Sequence, residues 1–260
     1  MKKAVVIGFC ALAVLAVAGG AAVWLRAPVT PAQASQPPPL NDFKRWAVLI
    51  VAGDNRAHSG APSPVFDDAR KDLAAAFQKI GFSAANTEQF SVNFDYDSQP
   101  TEIVSIARSL IALSHRAPAG CLIYFTSHGA PNGIIVGNSL VTPPMMFKLV
   151  NDGCGKRPAV VVMSACYSGQ FVGALSGPNR VVMTAARPDR TSFGCGEMDQ
   201  YTFFDDCFLR AMDHASDFAG LGEQVQGCVA VREQEMRASP PSEPQVYIGP
   251  NVAFTLRWKA

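Results

Sequence analysis

Three short apolar runs, at residues 46–53, 121–125 and 159–163, constrain the fold of this chain more than any other feature. None of them alternates apolar with polar residues. Continuous apolar runs of this length are typical of strands that helices cover on both faces of a parallel sheet. A fourth run of the same kind lies at 181–184. The sequence therefore predicts a buried parallel sheet.

Between these runs, apolar residues recur at helical spacing. The clearest case is the set Phe66, Leu73, Phe77 and Ile80, which Gly81 closes. Other predicted elements are helices near 100–114, 143–151, 200–214 and 221–237, weaker strands at 88–92 and 246–249, and a small hairpin around 134–136. Strand and helix alternate almost throughout. This order predicts an α/β fold, a three-layer sandwich with a mostly parallel sheet flanked by helices.

The N-terminus has the pattern of an export segment. Met1-Lys2-Lys3 precedes an apolar run at 4–25, and Arg26 follows it. The run is long enough to span a bilayer, which favours an uncleaved membrane anchor, whereas Ala-Gln-Ala at 32–34 favours cleavage of a signal peptide. Both interpretations of residues 1–26 stay open. Either one predicts an exported, periplasmic chain, free or tethered to the inner membrane.

Composition sets the remaining limits. Residues 27–42 are rich in proline and predict an extended linker, which leaves residues 43–260 as one folded domain. The chain of 260 residues is 48% hydrophobic, enough for a proper core. Its net charge of +1 gives no basic surplus, so no nucleic-acid partner is expected.

Six cysteines follow the N-terminal segment. An oxidising compartment permits disulfides, and if Cys166 stays a free thiol the other five allow at most two pairs. Which cysteines pair does not follow from the sequence. Neither a Cys-x-x-Cys pair nor the Cys/His spacing of a zinc site is present, so no metal site is predicted.

A histidine and a cysteine follow two of the apolar runs. His128 comes after the run at 121–125, and Cys166 comes after the run at 159–163. Both lie in turns of small residues that include a glycine. Because the carboxyl ends of parallel strands meet at one edge of a sheet, the two side chains can share a ligand site there. An imidazole beside a thiol suits a cysteine nucleophile and its base, and the N–H groups of Gly129 and Cys166 are candidate oxyanion donors.

The motifs that carry this pair are Ser-His-Gly at 127–129 and Ser-Ala-Cys-Tyr-Ser-Gly at 164–169. They resemble the legumain-type cysteine peptidases, family C13 of the caspase-like clan, and especially their bacterial branch. The resemblance extends to 184–186, 189–195 and 241–250, and spans about 44–250 in all. It implies a caspase-like fold for the domain at 43–260.

The resemblance also implies residue roles. Cys166 corresponds to the nucleophile that forms a thioester acyl-enzyme, and His128 to the general acid/base. Gly129 and Cys166 correspond to the oxyanion hole. The substrate is a peptide or protein, and the family uses neither a metal nor an organic cofactor.

Substrate-binding residues match the family less completely. Ser192 and Asp199 are similar to two residues of the legumain specificity pocket, whereas Ser164 stands where legumain has a glutamate. The Arg-His pair expected after the first strand is missing, and Arg56 or His58 are candidates to replace it. A preference for Asn or Asp before the scissile bond stays open.

We therefore expect an exported cysteine endopeptidase. One alternative is a transamidase with the same dyad, in which an amine rather than water resolves the thioester. Another is a catalytically silent caspase-like binding domain, although a scaffold alone has no need of Cys166, His128 and Gly129 together. A thiol-redox protein is disfavoured, because no second cysteine neighbours Cys166 in the sequence.

Overall fold

The computed structural model describes residues 39–93 and 96–259, which contain ten strands and six α-helices. The strands are β1 (Trp46–Ala52), β2 (Thr87–Ser91), β3 (Gln99–Pro100), β4 (Gly120–Thr126), β5 (Gly129–Ala130), β6 (Gly133–Val136), β7 (Ser139–Val141), β8 (Ala159–Ser164), β9 (Arg180–Thr184) and β10 (Gln245–Ile248). The helices are α1 (Val65–Lys79), α2 (Ile103–Arg116), α3 (Pro143–Cys154), α4 (Val172–Leu175), α5 (Phe203–His214) and α6 (Phe218–Glu235).

Seven strands form one sheet in the order β10-β9-β8-β4-β1-β2-β3. All neighbours in it are parallel except β10, which runs antiparallel to β9. Strands β1, β4 and β8 are buried along their whole length, as their uninterrupted apolar sequences predict. The predicted mostly parallel sheet is confirmed.

Alternate side chains of the central strands enter two different apolar cores. Val48, Leu122 and Val160 pack on one face, where α1, α5 and α6 lie. Leu49 and Ile123 pack on the other face, against α2 and α3. Since successive residues of a strand point to opposite faces, a strand between two helical layers must be apolar at every position. The three-layer α/β sandwich is thus as predicted.

Some details differ from the prediction. A second sheet of three short strands, in the order β5-β6-β7, replaces the simple hairpin predicted near 134–136, because β5 adds to it directly after His128. The packed part of the chain also begins before residue 43. Leu40 lies against the core, and its carbonyl accepts a 3.1 Å hydrogen bond from Trp46 Nε1.

The predicted export segment at 1–26 and most of the linker lie outside the described residues. Within the described part of the chain, no helix is both long enough and apolar enough to span a membrane.

Two disulfides join elements of the domain. Cys121–Cys154 connects β4 to α3, and Cys207–Cys228 connects α5 to α6. Closing loops of this length in the unfolded chain stabilises the fold by about 3–4 kcal/mol each in the chain-entropy model. Cys166 and Cys195 are the free cysteines of the described residues. Two disulfides are the most that the sequence allows if Cys166 stays a free thiol.

Candidate active site

The ends of three adjacent strands are level with one another. In the sheet, Ala52 of β1 pairs with Thr126 of β4, and Thr126 pairs with Ser164 of β8. His128 and Cys166 each come two residues after these paired ends. The register of the sheet therefore delivers both residues to the same edge at the same height.

The backbone turns sharply directly after Cys166. Tyr167 has a left-handed conformation with φ 58°, and a short 3-10 helix (Ser168–Phe171) follows it. The left-handed region costs a non-glycine residue about 1 kcal/mol or more. The N–H of Tyr167 compensates by donating a 2.7 Å hydrogen bond to the Arg190 carbonyl. Cys166 thus lies at the tip of a turn that is fastened to a neighbouring loop.

The ring of His128 is held on two sides. Its Nε2 lies 2.9 Å from the carbonyl oxygen of Arg56, and Phe66 packs against the ring edge-on at a centroid distance of 5.1 Å. A carbonyl oxygen only accepts hydrogen bonds, so Nε2 carries the proton. In the neutral ring Nδ1 is then the nitrogen that can accept a proton, as a general base must.

The sulfur of Cys166 lies beside the backbone of Ser192. The N–H of Ser192 donates to Sγ at 3.3 Å, and the Ser192 hydroxyl lies 3.7 Å from the same atom. The thiol can in turn donate to the Ser192 carbonyl at 3.6 Å. The Ser192 N–H is thus a donor that suits the negatively charged, nucleophilic form of the sulfur.

Gly129 packs closely against Cys166. A Cβ atom at position 129 would collide with the Cys166 carbonyl oxygen, so the contact requires glycine. The N–H of Ile135 donates to the carbonyl of His128, which makes the next pair, Gly129 with Ile134, a non-hydrogen-bonded one. The Gly129 N–H therefore points away from the β5–β6 ladder and is available to another acceptor.

One cavity of about 610 Å³ contains the dyad. Its wall is formed by His58, residues 128–129, residues 166–167, residues 191–196 and Asp199. The structure thus brings together five of the predicted site residues, namely His128, Gly129, Cys166, Ser192 and Asp199. The part of Ser192 and Asp199 in substrate binding stays a prediction. Of the two candidates to replace the missing Arg-His pair, His58 is in the wall and Arg56 is not.

Ser164 was predicted to contact substrate, and the structure corrects this. Its side chain is only 1% exposed, lies outside the cavity wall and is 3.4 Å from the hydroxyl of Thr202. As the last residue of β8, it faces the α5 side of the sheet. Within a strand, side chains point to one face of the sheet or the other. The Ser164 hydroxyl therefore points toward α5, and not past the end of the strand toward the cavity that contains Cys166.

Beneath the dyad is a buried polar cluster that no sequence pattern predicts. The carboxylate of Asp205 on α5 accepts hydrogen bonds from Tyr124 Oη at 2.7 Å and from Thr126 Oγ1 at 2.6 Å. The hydroxyls of Ser164 and Thr202 also interact with it. Asp205 is fully buried. It joins the last residues of β4 and β8 to the start of α5.

A second free thiol lines the same cavity. Cys195 lies in the wall with Cys166, although the two are far apart in sequence. Burial, together with the charge of Cys166, raises the pKa of Cys195 to about 11. Separation in sequence therefore does not keep a second thiol away from Cys166 in the fold. The high pKa supplies the reason against a thiol-redox protein, because a thiol that stays protonated attacks poorly.

Within the described residues, no group of three or more His, Cys, Asp and Glu side chains is arranged to hold a metal ion. The chemistry that the site supports directly is that of the sulfur, the imidazole and the N–H donors around them.

The sequence matches the model of the peptidase C13 family over residues 105–227, a segment that contains both members of the dyad. This match supports a relationship to the peptidase C13 family. The match supports a chain of the cysteine-peptidase type, a class of hydrolases whose substrates are peptides or proteins.

A structural comparison agrees with the C13 assignment at the level of the fold. The crystal structure of caspase-1 from Spodoptera frugiperda is similar, with a TM-score of 0.58 and 14% sequence identity. The match covers 85% of this chain and 94% of the caspase chain. The domain thus has the caspase-like α/β fold. No curated protein matches the sequence.

Proposed function

We propose that this chain is an exported cysteine endopeptidase that hydrolyses peptide bonds through Cys166 and His128 and a thioester acyl-enzyme. The observation that carries the proposal is the register of β4 and β8, whose level ends bring the two residues into one cavity. The match to a cysteine-peptidase family supports the reaction class.

The first half-reaction uses the sulfur of Cys166 and the imidazole of His128, which line one cavity. The Cys166 thiolate attacks the carbonyl carbon of the scissile bond, forming a C–S bond while the carbonyl oxygen takes the charge. The N–H groups of Gly129 and Cys166 stabilise that oxyanion. The imidazolium of His128 then donates a proton to the amide nitrogen, the C–N bond breaks, and the amine leaves.

The second half-reaction releases the acid. His128, now neutral, takes a proton from water as the water oxygen attacks the thioester carbonyl. The C–S bond breaks, the new carboxylic acid departs, and the thiolate and imidazolium are restored. The Arg56 carbonyl keeps the proton on Nε2 throughout, so that proton transfer runs through the other ring nitrogen.

Selective alkylation tests whether the dyad is activated. Iodoacetamide reacts with thiolates, and at pH 7.5 a thiol with a pKa of about 11 is ionised to well under about 0.1%. We expect mass spectrometry of the purified protein to find Cys166 labelled at least about tenfold faster than Cys195. In His128→Ala the rate of labelling at Cys166 should fall at least about tenfold, while Cys195 stays slow because its high pKa does not depend on His128.

The matched control is His115→Ala, which removes an exposed histidine at the end of α2 and should leave the preference for Cys166 intact. Equal labelling of the two thiols, or a Cys166 rate that is unchanged in His128→Ala, would contradict an activated dyad and favour a silent caspase-like domain. A peptide library then reports cleavage directly. Products that carry an added amine instead of a new carboxylate would indicate transamidation.

Export is part of the proposal. The apolar segment at 4–25 motivates it, and the two disulfides support it, since such bonds persist in oxidising compartments. We expect cell fractionation to recover the chain from the periplasm, free or with the inner membrane, and the four paired cysteines to resist alkylation in denaturant without reductant. Recovery from the cytoplasm with those cysteines reactive is the result that would contradict export.

A further inference from the structure

An ion pair next to the dyad has no part in the reaction described above. Asp54 follows the end of β1 by two residues, as His128 follows β4 and Cys166 follows β8. Its carboxylate accepts hydrogen bonds from Arg56 Nε at 2.9 Å and Arg56 Nη2 at 3.0 Å. The three strand ends therefore carry Asp54, His128 and Cys166 at one level.

The two partners of this ion pair differ in exposure. The side chain of Asp54 is 4% exposed, whereas that of Arg56 is 57% exposed. An Arg side chain in solvent adds little stability through such a pair. What the forked pair does fix is geometry, because a guanidinium that binds both carboxylate oxygens has one orientation.

That geometry reaches the dyad through the backbone. The same residue, Arg56, presents its carbonyl oxygen to His128 Nε2 at 2.9 Å. Asp54 also accepts a 2.7 Å hydrogen bond from the N–H of Asn55, between the two members of the pair. The loop at 54–56 is thus held at its buried end by Asp54, and its other end contacts the catalytic ring.

We propose that Asp54 is a positioning residue for the general base: by clamping Arg56, it holds the Arg56 carbonyl against His128 Nε2. The inference rests on the proposed peptidase function. Asp54 lies outside the segment at 105–227 that matches the family, and it acts through Arg56 rather than on substrate.

The ionisation of Asp54 agrees with this role. Burial alone would raise its pKa, but hydrogen bonds from the Arg56 side chain and the Asn55 N–H bring the pKa below its ordinary value. The carboxylate therefore stays charged, and the clamp stays intact, at neutral pH.

Asp54→Asn tests the clamp, because an amide keeps the size of the side chain and cannot accept both bonds of the fork. We expect kcat for a cleavable peptide to fall about 10- to 100-fold, as for a displacement of about 1 Å in a catalytic group, with KM changed by less than about threefold. The rate of Cys166 alkylation should fall in parallel. A substitution that merely loosened the fold would lower the amount of folded protein instead of splitting kcat from KM.

Arg56→Gln opens the same clamp from its exposed side and keeps the backbone carbonyl, so it should lower kcat by a similar factor. The double variant should be no worse than either single variant, because the two side chains act as one unit. Asp152→Asn is the control. Asp152 pairs with Lys148 Nζ at 2.6 Å on α3, outside the cavity wall. It should leave kcat unchanged.

The outcomes separate this inference from the function on which it rests. An unmodified protein that cleaves no peptide and shows no preferential Cys166 labelling contradicts the proposed function. If the unmodified protein is active and Asp54→Asn keeps its full kcat, or if the effects of Asp54→Asn and Arg56→Gln simply add, the clamp is wrong and the peptidase proposal stands.

Discussion

Cys166→Ala abolishes peptide hydrolysis, with kcat reduced by at least about 10⁴-fold, because the other thiol of the cavity, Cys195, has a pKa of about 11 and attacks poorly. His128→Ala has an effect of similar size, and the double variant is little worse than either single one. Groups that act as one unit lose their combined effect when either is removed. Initial rates on a fluorogenic peptide, at matched concentrations of folded protein, measure all three variants.

The chain offers its own control for this prediction. Cys195 is the other free thiol of the described residues and lies in the same cavity. Cys195→Ala leaves the dyad in place and should retain readily measurable hydrolysis. If Cys166→Ala still cleaves the peptide, or if Cys195→Ala loses cleavage to the same degree, the assignment of Cys166 as the nucleophile is wrong.

Asp205→Ala should lower the free energy of unfolding by about 3–5 kcal/mol, since it leaves the buried hydroxyls of Tyr124 and Thr126 without their acceptor. Urea denaturation monitored by circular dichroism measures the change. Asp213→Ala is the control on the same helix, where the side chain is exposed, and should change stability by no more than about 0.5 kcal/mol. Equal effects at the two positions would contradict a supporting role for the buried cluster.

The protonation of Asp205 also predicts how its contribution to the free energy of unfolding changes with pH. Burial raises the pKa of Asp205 above its ordinary value of 3.8, against the opposing effect of the hydroxyl hydrogen bonds. A carboxyl whose pKa is higher in the folded state binds its proton more tightly there than in the unfolded chain. Its contribution to stability is therefore complete below pH 3.8 and is lost as pH rises through the folded-state pKa. Asp205→Asn, which resembles the protonated form, should remove this dependence and cost less than Asp205→Ala.

The sequence was most informative where the physical signal was local. The uninterrupted apolar runs predicted β1, β4 and β8, and the turns after them predicted which edge of the sheet carries the chemistry. Ser164 shows where this reasoning failed. It was included because it stands where legumain has a glutamate, yet the alternation of side chains in a strand turns it toward Asp205. Whether Ser164 faces the core or the cavity depends on where β8 ends, and the sequence does not mark that end.

Other features could not be predicted because they join segments that are distant in sequence. The disulfides pair β4 with α3 and α5 with α6, and the presence of Cys195 beside Cys166 depends on the path of the loop at 191–196. The role of Arg56 lies in its backbone carbonyl, which every residue type possesses, so no side-chain pattern could reveal it. Asp54 does have a local signal, since it follows the end of β1 by two residues, as His128 follows the end of β4.

The level ends of β1, β4 and β8 set a limit on how this sequence can evolve. Inserting one residue within any of these strands would advance its last residue by about 3.3 Å and exchange its two faces. Connections at the opposite edge of the sheet are not bound by that alignment and can lengthen or shorten without moving the reactive atoms. Among descendants of this chain, variation in length should accumulate in those distant connections, while the three spans from strand to reactive edge keep a fixed number of residues.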